Sequence, residues 1–144
     1  MLRFLDELNV TPLGDGSNWR VNRRFRFWSA TLNRMVEVPD HFIVDFASTP
    51  RALWAVYPPW GRYGAAAVLH DWLYWSQECT RAEADLVLRE AMDTLGVEPG
   101  DVTAIYDGVH LFGQGAWDHN AALKANGYTR MASNDPNPPY ASAA

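Results

Sequence analysis

The chain has 144 residues, nearly half of them apolar and 13% aromatic, with seven tryptophans. That is the size and composition of one folded domain, and it excludes a disordered chain or a pair of separate cores. Seventeen acidic residues against 12 basic ones leave a net charge of −5, which argues against a protein that blankets phosphates, and no nucleic-acid partner is expected.

Cys79 is the single cysteine, so no disulfide can form within the chain and the fold must hold by packing. No apolar run reaches the ~18 residues needed to span a bilayer, so no transmembrane segment is expected. Arg3, Asp6 and Glu7 interrupt the opening stretch where a signal peptide would be apolar, so the expected location is the cytoplasm of the producing cell or a virion assembled there.

In chain order, Pro12 to Asn18 is dense in turn formers and separates a short lead from the first strand. In that strand Trp19, Val21, Phe25 and Phe27 alternate with polar residues, the period of a half-buried strand, and Arg23 breaks the apolar row. Arg20, Asn22, Arg24 and Arg26 then form a solvated strand face, or else a patch for an anionic partner. Ser29 to Asn33 reads as a turn, Arg34 to Val38 as a returning strand and Phe42 to Phe46 as a third, with Pro39 at the break. Ala47 to Gly64, rich in Pro, Gly, Trp and Tyr, reads as an ordered aromatic loop.

A helix is predicted from Tyr63 to about Ser76, with His70 and Tyr74 one turn apart on one face and Ala67, Asp71 and Trp75 on the neighbouring one. The next helix opens with a capping box, Thr80-Arg81-Ala82-Glu83, runs through Leu88, Ala91, Met92 and Leu95, and stops at Gly96. A third helix is expected from Asp101 to Phe112, with Val102, Ile105, Val109 and Phe112 inward. Beyond Gly113 no further helix is assigned, although Trp117 and Leu123 are candidates to pack on the body. The expectation is a single α+β domain over residues 1–132: antiparallel strands at about 19–46, an aromatic loop, and a three-helix segment containing an antiparallel pair. Residues 133–144 form a Pro- and Ala-rich stretch without periodicity, expected to be a flexible tail.

Asp85 lies on the stripe of Leu88 and Met92, so its carboxylate points toward the core and needs a partner. If residues 77–79 turn the two helices antiparallel, His70 and Asp85 stand at similar height, given ~1.5 Å of rise per residue. A carboxylate on one ring nitrogen fixes the imidazole tautomer and leaves the other nitrogen to take a proton from water or a hydroxyl. That pairing is the base and orienter of a hydrolytic site; the same residues also suit a buried hydrogen-bond network joining two helices. Asp71, about 100° further round the helix, offers a carboxylate to a hard cation such as Ca²⁺. Asp45 either caps its turn through Ser48 and Thr49, with Arg51 as ion-pair partner, or faces the same pocket as His70. A metal phosphohydrolase built from His41, His70, Asp71 and a later Asp is a weaker reading because His41 falls in the β region, and Ser48 lacks the Gly-x-Ser-x-Gly context of a nucleophile.

The ordered set Val38-Pro39, Phe42, Asp45-Phe46-Ala47-Ser48-Thr49-Pro50-Arg51, Gly64, Ala66 to Tyr74, Arg81, Ala84-Asp85 and Met92 resembles the phage and prophage family catalogued as domain of unknown function 1353, over roughly Trp19 to Phe112. This resemblance implies a phage-encoded protein found in the virion or the host cytoplasm, with other phage structural proteins as partners, but no reaction. Within it, Ala66 to Tyr74 followed by Ala84-Asp85 is similar to the His-Asp-x-x-Tyr helix and later Ala-Asp helix of secreted and parvoviral phospholipases. That likeness implies His70 as general base, Asp85 as its orienting carboxylate, Tyr74 as a structural hydrogen-bond partner, Asp71 as a Ca²⁺ ligand and a lipid or cell-envelope ester as substrate. Residues 50–54 read Pro-Arg-Ala-Leu-Trp, where those enzymes carry no such sequence but a Gly-rich calcium loop. Two expectations result: a noncatalytic, virion- or tail-associated or accessory protein that docks on other chains, or a small ester hydrolase used in envelope penetration or lysis.

Overall fold

Asn22 to Arg24 divides the first apolar alternation into two strands that belong to different sheets, in a computed structural model that describes residues 3–14, 17–47, 49–58 and 61–132, with the backbone only at 51 and 52. The division falls where Arg23 interrupts the apolar row, so one continuous strand through this segment is not what forms. Strand β1 (Val10–Pro12), β2 (Trp19–Val21) and β5 (Ile43–Val44) make one antiparallel sheet in the order β1-β2-β5. Its register sets Val10 opposite Val21 and Trp19 opposite Val44. Strands β3 (Phe25–Ser29) and β4 (Arg34–Val38) form a separate hairpin, with Phe25 opposite Val38 and Phe27 opposite Val36. These four side chains are buried and line the core, as the period of two requires.

Strand β1 lies in the segment expected to be lead and turn, and Pro12 ends it at a sheet edge, where a missing N–H costs no ladder bond. The third expected strand shortens to two residues. Phe42 before it bridges to Met131, and Phe46 after it has a φ of 55°, which turns the chain out of the sheet. The lead itself docks on β3: Leu5 N donates to Arg26 O, Arg3 O accepts from Trp28 N, and Asp6 takes Arg26 in a two-pronged ion pair at 2.9 and 3.1 Å. Arg26 therefore points at a carboxylate of its own chain.

Five helices come after the strands among the described residues. Helix α1 (Arg51–Trp54) is one turn inside the expected aromatic loop, and α2 (Gly64–Ser76) is the central element. Nine of the 13 residues of α2 are buried, from Ala66 to Trp75, because sheets and helices cover it on most sides. Gln77 ends it in the left-handed conformation at φ 52°. Helix α3 (Arg81–Thr94) starts with the expected capping box: Glu83 N donates to Thr80 Oγ1 at 3.1 Å, and Thr80 N donates to Glu83 Oε1 at 3.0 Å. The short turn between them folds α3 back along α2.

Helix α4 (Pro99–Phe112) begins two residues earlier than expected, with Pro in the first turn where its absent N–H is harmless. Val102, Ile105 and Val109 are buried, but Phe112 is not inward: it sits at the corner where the chain enters α5, and Gly113 takes the buried position there.

Helix α5 (Gln114–Ala125) is the element that the three-helix expectation lacked. It carries no continuous apolar stripe, and Asn120 is its one buried residue. Ala116, Trp117 and Leu123 pack partly buried against the core, and polar contacts to the end of α2 add to this. Gln77 Nε2 donates to Trp117 O at 2.9 Å, Asn120 Nδ2 to Tyr74 O at 3.2 Å and Lys124 Nζ to Ser76 O at 3.1 Å, while Trp117 meets Tyr74 edge to face. No helix is long and apolar enough to cross a membrane among the described residues. The expected tail at 133–144 lies outside the described residues.

Candidate functional site

Consecutive residues on α2 organise two separate buried polar networks, one on each side of the helix. On the first side His70 is 0% exposed and its Nε2 lies 2.8 Å from Asp85 Oδ1. Tyr74, one turn on, donates its hydroxyl to the same oxygen at 2.8 Å. The second carboxylate oxygen takes Arg81 Nη1 at 3.3 Å and His110 Nδ1 at 3.1 Å. Arg81 also donates to His110 O at 3.1 Å, so one carboxylate on α3 ties together α2, α3 and α4.

Asp85 is completely buried, and an uncompensated carboxylate there would be expensive. Burial pushes its pKa up, but the bonds from His70, Tyr74 and His110 outweigh burial and hold it below 3.8. For His70 burial is the larger influence, lowering its pKa below 6.5 against the pull of Asp85. A neutral ring facing an acceptor-only carboxylate carries its proton on Nε2. Tyr74 is likewise pushed up by burial and stays a phenol.

Gly113 lets the corner between α4 and α5 close over this network. A Cβ at that position would stand 2.4 Å from Tyr74 Oη and 3.3 Å from Arg81 Nη1.

On the other side of α2, Asp71 Oδ2 accepts from Asp45 N at 3.2 Å and lies 3.6 Å from Arg130 Nη2. Arg130 Nη2 is 2.8 Å from Asp45 Oδ2, and its guanidinium lies near the faces of Phe42 and Trp75. Asp45 Oδ1 accepts from Ala47 N at 2.9 Å. Asp45 thus caps its own turn and joins Asp71, away from His70. The Asp71 pKa is pushed up to about 7, first by burial and then by the neighbouring Asp45 charge, with Arg130 opposing both.

Arg130 arrives from far along the chain, on a segment that pairs beside β5: Ile43 N donates to Arg130 O at 2.7 Å and Ala132 N to His41 O at 2.6 Å. Among the described residues, Arg130 is thus an ion-pair partner of Asp45. Ser48 and the side chain of Arg51 lie outside the described residues.

These placements bear directly on chemistry. His70, Tyr74 and Asp85 come together, but the His70 ring has no exposed surface, and four surface cavities of about 250 to 510 Å³ are lined by none of the three. A hard cation takes about 6–8 oxygens, whereas Asp45 and Asp71 face a guanidinium. No group of three or more His, Cys, Asp or Glu side chains able to hold a metal occurs among the described residues. The residues around Asp71 as placed do not fit a Ca²⁺ ion.

Two members of the networks are not expected from the sequence. His110 stands next to Val109 on α4, and its spacing from His70 and Asp85 carries no motif. Arg130 lies in a stretch without periodicity. Of the remaining histidines, His41 pairs with Asp40 at 3.1 Å on the surface, and His119 is exposed on α5.

The model of the family described as Protein of unknown function (DUF1353) matches residues 19–109, well over half of the chain. No curated protein and no solved structure matches. The chain belongs to the DUF1353 family, and the match takes in His70, Asp71, Tyr74, Arg81 and Asp85 but ends one residue before His110.

Proposed function

We propose that this protein is a phage-encoded accessory or particle-associated component that works by docking on other protein chains. The observation that carries this reading is the pairing of a buried, fully partnered carboxylate with an uncovered apolar corner. Asp85 has donors on both oxygens and His70 no exposure, which suits a device that fixes three helices. Beside it, Leu111 and Phe112 are each 72% exposed. Burying such side chains is worth about 1.5–3 kcal/mol each, so the partner expected is a protein with an apolar groove, such as another structural chain of the particle.

The test compares particles carrying wild-type protein with particles made with Leu111→Asp and Phe112→Asp variants of unchanged thermal stability. Incorporation should fall sharply in both variants. Undiminished incorporation, or absence of the wild-type protein from particles, removes this reading.

A second reading, a small hydrolase acting on lipid or cell-envelope esters, is favoured by one observation: Asp85 also orients His110, whose side chain is 43% exposed. Phospholipid and generic ester substrates, with Ca²⁺ or EDTA, test it directly. Turnover that disappears in folded His70→Ala or His110→Ala protein supports the reading, and no turnover on any substrate removes it.

A further inference from the structure

We propose that His110, and not His70, is the reacting imidazole of this protein, with Nε2 accepting an acyl group from small activated acyl compounds and Asp85 acting as its positioning residue. The proposal deepens the hydrolase reading and rests on it for the substrate class.

Geometry separates the two rings that share Asp85. His70 presents Nε2 to the carboxylate and no surface to solvent. His110 presents Nδ1 to Asp85 Oδ2 at 3.1 Å, so in the neutral ring Nδ1 carries the proton and Nε2 is the lone-pair nitrogen. The ring is 43% exposed, and no hydrogen bond to Nε2 is present among the described residues. Tyr106 stacks parallel to the ring, 5.5 Å between centroids and 8° between planes, which restricts its rotation. The exposed Leu111 is next in sequence, an apolar neighbour for an acyl chain. A nucleophile held by a buried carboxylate on its other nitrogen is the arrangement that acyl transfer uses.

His41 supplies a built-in comparison. Its Nδ1 also lies 3.1 Å from a carboxylate, Asp40 Oδ2, but the two side chains are 60% and 57% exposed. Water competes for that pair and little holds the ring, so the contact alone does not fix a tautomer.

Diethyl pyrocarbonate probes the difference in the full chain. Nε2 attacks a carbonyl carbon, the N–C bond forms, the anhydride C–O bond breaks, and ethyl carbonate leaves. The imidazole gives up its Nδ1 proton, and protonated ethyl carbonate breaks down to ethanol and carbon dioxide. Peptide mapping by mass spectrometry then reads the rate at each of the four histidines. His110 should be modified at least ~10-fold faster than His41 and His119, with His70 unmodified while the protein stays folded. In Asp85→Asn protein that remains folded, the ratio of His110 to His41 rates should fall toward one; if that variant unfolds, the wild-type ratio alone decides.

Equal rates at His110 and the two other surface histidines, or faster modification of His70, overturn the proposal. Ester turnover by wild-type protein with unselective labelling removes the site but leaves the hydrolase reading. Selective labelling without turnover supports the site and removes that reading.

Discussion

His70 Nε2 and Tyr74 Oη both stand 2.8 Å from Asp85 Oδ1, so a single oxygen on α3 receives two side chains from successive turns of α2. The other oxygen receives α4 through His110 and α3 itself through Arg81. Removing the carboxylate leaves the buried donors of His70 and Tyr74 on α2 unmatched and releases the partly exposed Arg81 and His110. Asp85→Ala should lose about 3–5 kcal/mol of stability, measured by urea unfolding. A loss under about 1 kcal/mol would show that the hub contributes no more than a surface ion pair.

The same hub sets a pH dependence. Because the folded pKa of His70 lies below 6.5, the unfolded chain takes up a proton first as the pH falls, and stability drops below that pH. Asp85 acts in the same direction lower down: its folded pKa lies below 3.8, so its contribution is present above 3.8 and is lost as the pH falls through the folded value. Because Asp71 works against this between pH 7 and pH 5, the test is relative: as the pH is lowered across that window the urea midpoint of wild-type protein should fall against that of His70→Gln. Parallel changes in the two proteins would remove His70 as the source.

Asp71 runs the opposite way. Its folded pKa of about 7 lies above 3.8, so the folded chain holds the extra proton between those values and this group costs stability as the pH rises through that window. The carboxyl carbon resonance of Asp71 should titrate near pH 7, and Arg130→Met should move the midpoint higher by removing the opposing charge. A midpoint in the ordinary carboxylate range would refute the burial argument for this side of α2.

Gly113 and Gly115 make a paired test two positions apart. An added Cβ meets Tyr74 Oη at 2.4 Å at Gly113 and nothing within 4 Å at Gly115. Gly113→Ala should cost about 1–3 kcal/mol. Gly115→Ala, inside α5, should be neutral or stabilising by up to about 1 kcal/mol. Similar thermal shifts for both would mean that the corner closes over the network less tightly than the distances imply.

What the sequence determined by itself is what local chemistry encodes. The capping box at Thr80, the apolar stripe of α3 and the turn at Gln77 to Cys79 sit within a few residues of the elements they define. They also bring Asp85 to the height of His70. The break at Arg23 was visible as a fault in the apolar row, but not its consequence, because a fault in one strand does not say which sheet each half will join.

Tertiary structure alone decided the partners reached over long sequence distance. Arg130 closes a carboxylate pair, Asp45 just after β5 and Asp71 on α2, from far along the chain, and α5 forms against the carbonyls at the end of α2 with little apolar signal of its own. Which of two imidazoles faces water was equally undecided by spacing. His70, on the central helix α2, has no exposed surface, whereas His110, reaching the same carboxylate from α4, keeps 43% of its side chain exposed. Periodicity records which face of a helix is apolar; it does not record what comes to lie across that face.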